Sequence, residues 1–323
     1  MSRVTGKCIL VTGGAGFIGS HVVDRLLLER PERVVVVDSF FLGQDENLKN
    51  AQDISSSLDV LRLDAGDFSS IFEVVREFQF DMVLNLAVMP LPLSLRFPAL
   101  TLKTNVDTVI ALCELVRIGA IRELLHVSSS EVYGTARYVP MNEAHPHDVT
   151  TPYAASKSAG DQIVSSYVRT FGISARTVRP FNNFGPRQNL GSYAGVIPIV
   201  VNRLARNLPI EITGDGTQTR DFVFVKETAR GIVDVLNSEK CQGMTLNIAT
   251  GVETSINELV SQIANVMGKG NPRIQFVPSR DGDVLRHCAD TSLAKQILGY
   301  SAEPISLSQL DETVSWYLSS LRL

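Results

Sequence analysis

The sequence predicts an α/β protein built on a doubly wound parallel sheet, and three observations carry that expectation. Strand-like and helix-like runs alternate through the first 180 residues. A glycine-rich turn joins the first strand to the first helix. An acidic residue closes the second strand. The strand-like runs are 7–11, 33–37, 60–63, 82–86, 124–128 and 175–178, short and rich in Val, Leu or Ile. Strands buried on both faces have that composition. Helix-like runs at 17–28, 69–78, 98–116 and 152–171 alternate with them. Alternation of this kind gives parallel strands joined by helical crossovers, with ligands bound at the strands' carboxyl ends.

The glycine turn is the first chemical signal. Gly13, Gly16 and Gly19 follow the first strand at the spacing G-x-x-G-x-x-G, and Phe17 and Ile18 open the helix. Such a turn lets backbone N–H groups approach a pyrophosphate at a helix N-terminus, where the dipole favours anions. Nineteen residues after Gly19 stands Asp38. An acid there binds both hydroxyls of an adenosine ribose and would repel a 2′-phosphate, so the reading is a Rossmann-type fold that binds NAD rather than NADP. Asp64, ending the third strand, can reach the adenine amino group. The small pair Leu86-Ala87 after the fourth strand lets a cofactor lie close to the backbone. Residues 88–95 are unusually apolar, which suits either core packing or a pocket wall.

Bulk properties bound the alternatives. The chain has 323 residues, 44% hydrophobic and 20% charged, with a formal net charge of −4. It can bury a large core, and it has no basic run of the kind nucleic-acid binders carry. Its apolar stretches are strand-sized, which predicts no membrane span. The first strand begins at the seventh residue, which predicts no signal peptide. Four cysteines (Cys8, Cys113, Cys241, Cys288) form no C-x-x-C pair, as in a reduced, cytoplasmic protein. The five histidines lack metal-ligand spacing, so no metal site is expected. Residues 40–57 are polar and without periodicity, and read as a partly mobile loop. After Pro180 the elements shorten. Helices near 196–206, 226–236, 255–267 and 307–321 and strands near 209–213 and 222–225 suggest a smaller lobe on the sheet.

Catalytic chemistry is concentrated in two segments. One is Ser128-Ser129-Ser130-Glu131-Val132-Tyr133-Gly134, just off the fifth strand. The other is Pro152-Tyr153-Ala154-Ala155-Ser156-Lys157. Thr151 suits a helix N-cap and Pro152 the first helical position. Tyr153 and Lys157 then lie one turn apart on one helix face. A phenol acting as a base near neutrality needs its pKa lowered by about three units, and a nearby ammonium and helix N-terminus push that way. Ser129 can hold the same substrate hydroxyl.

Together, TGGAGFIGSH, Asp38, Asp64, NLA, TNV at 104–106, SSSEVYG, YAASK, RPFNNFGPR, GDGTQTRDFVFV and SRDGDVLRHCAD span residues 12 to 290. On these motifs the chain resembles the extended short-chain dehydrogenase/reductases of the NAD-dependent epimerase/dehydratase family, which hold NAD tightly and act on nucleotide-activated sugars. The resemblance implies further cofactor contacts at Ser128, Asn105 and Pro180, with Asn105 either fixing backbone near the nicotinamide or capping a helix turn. It implies substrate contacts at Ser130, and at Asn182 and Arg220 for the diphosphate. Arg280 and Arg286 are candidates for the same task or, alternatively, surface ion pairs. It also implies a discontinuous substrate lobe: residues 1–180 plus about 221–252 bind NAD, and about 181–220 plus 253–323 bind the nucleotide sugar. A homodimer through the helices at 98–116 and 152–171 is implied as well.

Members share the first step. The tyrosine takes the 4-hydroxyl proton while hydride leaves C4. Glu131 is the informative residue for the later steps. Simple 4-epimerases usually carry a small or neutral side chain there, whereas a carboxylate suits proton abstraction at C5. That resembles the 4,6-dehydratases and also the uronate decarboxylases with a T-S-E triplet. Ser130 departs from the Asp-Glu pair of dTDP-glucose dehydratases and removes their usual acid for the 6-hydroxyl, though the GDP-mannose type has Ser-Glu. The expectation is a 4,6-dehydratase on a nucleotide-linked hexose, with N-acetylglucosamine the favoured sugar. A 4-epimerase, a uronate decarboxylase and a non-catalytic NAD(H)-binding protein are the alternatives.

Overall fold

The computed structural model describes residues 2–190, 194–278 and 284–320. Strands β1 (Cys8–Thr12), β2 (Arg33–Asp38), β3 (Leu58–Arg62), β4 (Met82–Asn85), β5 (Glu123–Val127) and β6 (Ala175–Pro180) build the sheet. A seventh strand, Thr245–Ile248, joins its far edge. The order is Thr245–Ile248, β6, β5, β4, β1, β2, β3, and every pairing is parallel. The chain's direction across the sheet reverses between β1 and β4. The reversal opens a crevice at the carboxyl ends of those strands.

Alternate side chains of each strand enter different cores, as the two-residue period requires. Ile9, Val11, Val34 and Val36 face one side, where α1 (Phe17–Leu28) packs with Val22 and Leu26. The helix Val225–Asn237 covers the same side with Ile232 and Leu236. Leu10, Val35 and Val37 face the other side with Ile71 of α3 (Phe68–Phe78), Leu112, Cys113 and Val164. A third core joins Phe184, Ile197, Phe222, Leu259, Leu310 and Tyr317 in the smaller lobe. Residues Ala289, Ala294 and Tyr300 return to the first core, so the end of the chain binds lobe and sheet together. No helix among the described residues is long and apolar enough to cross a membrane.

One expectation is corrected. Within 40–57 the chain forms a 3-10 turn, Asp45–Leu48, and a short helix α2 (Lys49–Ile54). Leu48 and Ala51 are buried, and Asn47 donates from Nδ2 to the Ala15 carbonyl at 2.8 Å. Two small anchors suffice to seat a helix this short. They leave no apolar period to read.

Asp221 ties the 250 loop to residue 289. It is fully buried, and its carboxylate accepts from Thr250 N (3.0 Å), Thr250 Oγ1 (2.6 Å), Gly251 N (2.8 Å) and Ala289 N (3.3 Å). Removing it orphans four donors at once. Asp221→Ala should cost at least about 3 kcal/mol, because each buried unsatisfied group costs about 1–3 kcal/mol. A urea unfolding midpoint checks this, and a loss below about 1 kcal/mol would contradict it.

Candidate active site

The turn after β1 crosses directly under the end of β4. Gly13 has a φ of +72°, and a Cβ there would lie 2.6 Å from Ala87 N and Leu86 C. A Cβ on Gly19 would lie 2.1 Å from the Gly13 carbonyl oxygen. The backbone is therefore laid bare at the α1 N-terminus, which is the cradle a pyrophosphate requires. A cavity of about 590 Å³ opens from it.

Most of the anticipated cofactor residues line this one cavity. Gly13, Gly16, Phe17, Ile18 and Gly19 form the turn end, and Asp38 and Asp64 the outer end. Leu86 and Ala87 form the wall at β4, and Ser128, Tyr153 and Lys157 stand at the inner end. Val88, Met89 and Pro90 also line it, whereas Leu93 and Ser94 of the same apolar stretch are buried in a short helix α4 (Leu91–Ser94). Both readings of 88–95 therefore apply, to different halves. Sequence reasoning missed Thr104, Thr108 and Asn189 on the wall.

Asp38 is fixed by two backbone bonds, from Ala15 N to Oδ2 (3.0 Å) and from Phe40 N to Oδ1 (2.8 Å). Burial raises its pKa against the pull of those bonds. Each oxygen keeps a lone pair for a hydroxyl donor, the pattern a ribose diol matches. Asn105 does not line the cavity. It lies on α5 (Pro98–Arg117), accepts from Met89 N (2.8 Å), and donates to Met89 O (3.1 Å) and Ser156 Oγ (2.9 Å). It thus holds the cavity-wall backbone against α6 (Pro152–Phe171). Pro180 is also off the cavity, at the end of β6 opposite Ile248.

Helix α6 begins as its caps dictate. Thr151 Oγ1 accepts from Ala154 N at 3.1 Å and Pro152 takes the first turn. Tyr153 and Lys157 then face the ends of β4 and β5. Ser129, in extended conformation, caps the 3-10 turn Ser130–Tyr133 and accepts from Glu131 N at 3.2 Å. The Ser129 side chain lies close enough to the Tyr153 hydroxyl to oppose the rise of its pKa. Lys157 Nζ donates to the Val127 carbonyl at 2.7 Å.

Burial acts on both titrating groups. It pushes the Tyr153 phenol up to about 12, opposed by Ser129 and reinforced by the Glu131 carboxylate. It pulls the Lys157 ammonium down to about 8, opposed by Asp161 one turn further along α6. A positive charge brought into the cavity beside the phenol would lower it towards ionisation.

The residues anticipated for the substrate sit beyond this end. Asn182 opens the short strand Asn182–Phe184, paired in parallel with Phe222–Phe224. Arg220 is half-buried in Thr219–Arg220, with Nη1 on its neighbour's carbonyl at 2.9 Å. Ser130 is buried beside them. The Arg286 guanidinium forks onto Glu253 (3.1 and 2.5 Å), the surface ion pair anticipated as its alternative. Arg280 lies outside the described residues. Sequence reasoning missed His287, which touches both Ser130 and Asn182. It also missed Asp161, whose signal was its place four residues after Lys157.

The fold and this set of groups define a class, the short-chain dehydrogenase/reductases with an added C-terminal lobe. Comparison with known proteins narrows it. The family model for GDP-mannose 4,6 dehydratase matches residues 10–313. A UDP-glucose 4-epimerase of Mycolicibacterium smegmatis is 33% identical over 310 residues, spanning 95% of this chain and 97% of that protein. The crystal structure of a Thermotoga maritima UDP-glucose 4-epimerase with UDP-glucose superposes with a TM-score of 0.89 at 29% identity, covering 97% of this chain and 99% of that one. A Streptomyces venezuelae dTDP-glucose 4,6-dehydratase with NAD bound gives 0.87 at 30% identity, covering 97% of both chains. The chain belongs to the NAD-dependent epimerase/dehydratase family of nucleotide-sugar enzymes.

Lysine burial makes a prediction about stability. With its pKa lowered from 10.5 to about 8 on folding, Lys157 destabilises the folded chain fully below pH 8. That penalty fades as pH rises towards the unfolded value. The unfolding free energy of wild type, measured against Lys157→Met, should therefore rise by up to about 3 kcal/mol between pH 8 and 10.5. Parallel stability–pH curves for the two proteins would contradict it.

Proposed function

We propose that the protein is an NAD-dependent 4,6-dehydratase of a nucleotide-linked hexose, with a nucleotide-linked N-acetylglucosamine the favoured substrate. The observation that carries this reading is the Glu131 carboxylate, close enough to the Tyr153 phenol to raise its pKa. Gly13, Gly16, Phe17, Ile18 and Gly19 would hold the cofactor's pyrophosphate, Asp38 its adenosine ribose, and Ser128, Tyr153 and Lys157 its nicotinamide end. NAD, when bound, would supply the acceptor for the C4 hydride. Tyr153 takes the 4-hydroxyl proton, Ser129 holds the same oxygen, and Lys157 stabilises the phenolate. The resulting 4-ketone acidifies the C5 hydrogen. Glu131 removes that proton and passes it to the departing 6-hydroxyl, which leaves as water; hydride then returns to C6 and a solvent proton to C5.

Asn182 and Arg220 would grip the substrate diphosphate, consistent with their places beside Asp221, whose carbonyl accepts from Asn182 N. By this reading residues 1–180 plus about 221–252 serve NAD, and about 181–220 plus 253–323 serve the sugar nucleotide. Helices α5 and α6 would form a homodimer interface, and α5 exposes Leu100 and Ile110.

A 4-epimerase is the second reading. Ser130 favours it, because no carboxylic acid stands there for the 6-hydroxyl, and so does the likeness to UDP-glucose 4-epimerases.

Purified protein should be incubated with UDP-, GDP- and dTDP-sugars and product masses read. The expected product is lighter by one water. An unchanged mass with a new sugar would establish the epimerase, and loss of carbon dioxide a decarboxylase. Glu131→Gln should lower dehydration by about 100-fold or more, the typical worth of a positioned base, while substrate-dependent reduction of NAD continues. Undiminished dehydration by that variant would overturn the role given to Glu131.

A further inference from the structure

We propose that His287 is a positioning residue of the reaction, joining the grip on the substrate diphosphate to the turn that carries Ser129, Ser130 and Glu131. The inference rests on the proposed function through the role given there to Asn182.

His287 is 1% exposed and touches both segments. Its Nδ1 lies 3.4 Å from Asn182 Nδ2, and its Nε2 lies 3.1 Å from the Ser130 carbonyl oxygen. An amide NH₂ only donates and a carbonyl only accepts. One neutral tautomer, with the proton on Nε2, therefore satisfies both bonds. An imidazolium would lose the bond from Asn182 and face the Arg220 charge. Burial agrees, holding the His287 pKa down to about 4. The imidazole is thus neutral, oriented and fully used across the working pH range.

The ring is held from behind as well. It packs on Phe181 with centroids 5.0 Å apart. Its backbone carbonyl accepts from Asp221 N at 2.8 Å. The Asp221 carbonyl in turn accepts from Asn182 N at 3.0 Å. Asn182 is therefore fixed twice, by its backbone on Asp221 and by its amide on His287. With one amide hydrogen engaged by His287, the other is left with a set direction for a phosphate oxygen. Any shift of Asn182 on binding passes through a rigid ring to the Ser130 carbonyl, beside both Ser129 and Glu131. A phenylalanine would meet the packing need alone. Two polar ring edges at this depth are tolerated only because both bonds are made.

The test is a double-mutant cycle on the full chain. UDP, GDP and dTDP binding is measured by calorimetry for wild type, His287→Phe, Asn182→Ala and the double variant, with turnover and unfolding midpoints alongside. His287→Phe should weaken nucleoside diphosphate binding about three- to tenfold and lower kcat by a similar factor, the scale of one lost hydrogen bond at each end. In the Asn182→Ala background it should weaken binding no further. His287→Gln, which keeps a donor and an acceptor, should recover most of both losses. Additive binding losses, an unchanged kcat, or a Gln variant no better than Phe would overturn the proposal.

A second measurement needs no substitution at 287. The His287 ring-nitrogen NMR signals should shift when wild type is saturated with the diphosphate it binds, and should not shift in Asn182→Ala. Signals indifferent to the ligand in wild type would also overturn it. Failure of wild type to bind any of the three diphosphates would instead bring down the proposed function, and this inference with it.

Discussion

The site is organised around one buried ammonium. Lys157 is 5% exposed, and its bond to the Val127 carbonyl replaces only part of the hydration it gives up. Leaving water is unfavourable for a charge, and the same low dielectric strengthens whatever interactions it does make. Much of the surrounding structure makes that burial tolerable. Thr151 and Pro152 start α6 so that Tyr153 and Lys157 share one face. Asn105 holds α6 to the cavity wall through Ser156. Asp161, on the next turn, opposes the loss of the proton. Asp161 is itself paired at 2.8 Å with Arg179, which also donates to the Tyr133 hydroxyl at 2.9 Å. A buried polar layer therefore runs across the sheet behind the reacting groups.

A second layer ties the smaller lobe to the strand ends. Asp221 gathers the 250 loop, Ala289 and, through its backbone, Asn182 and His287. His287 continues that tie to Ser130. These bonds anchor residues 287–289 to the turn Ser130–Tyr133 and to Asp221. The turn after β1 supplies the cradle, and α6 carries Tyr153 and Lys157 to it.

How much of this was legible in the sequence depends on the range of the interactions. The helices Phe17–Leu28 and Pro152–Phe171 have the bounds their caps and periodicity announced. The glycine turn, Asp38 and the Tyr153–Lys157 pair were legible because a fixed local spacing gives them their geometry. Helix α2 was not, because only Leu48 and Ala51 mark its buried side. His287 was not, because its partners lie 105 and 157 residues away and no local pattern marks a polar residue for burial. Asn105 shows a middle case. Its importance was readable, but its means of acting, through Met89 and Ser156, needed coordinates. Arg286 looked like a phosphate ligand by residue type, and Glu253, thirty-three residues earlier, engages its fork.

The family's first step is common to every candidate reaction, so the distinguishing physics lies at C5. A carboxylate at residue 131 matters only if carbon acid chemistry succeeds the ketone. The most direct measurement is turnover in D₂O with the accepted nucleotide sugar, reading deuterium in the product by NMR. The account predicts one solvent deuterium at C5 of a product that has lost water, delivered as the C5 carbanion is quenched. A product without carbon-bound solvent deuterium would mean that Glu131 abstracts nothing, and would contradict it.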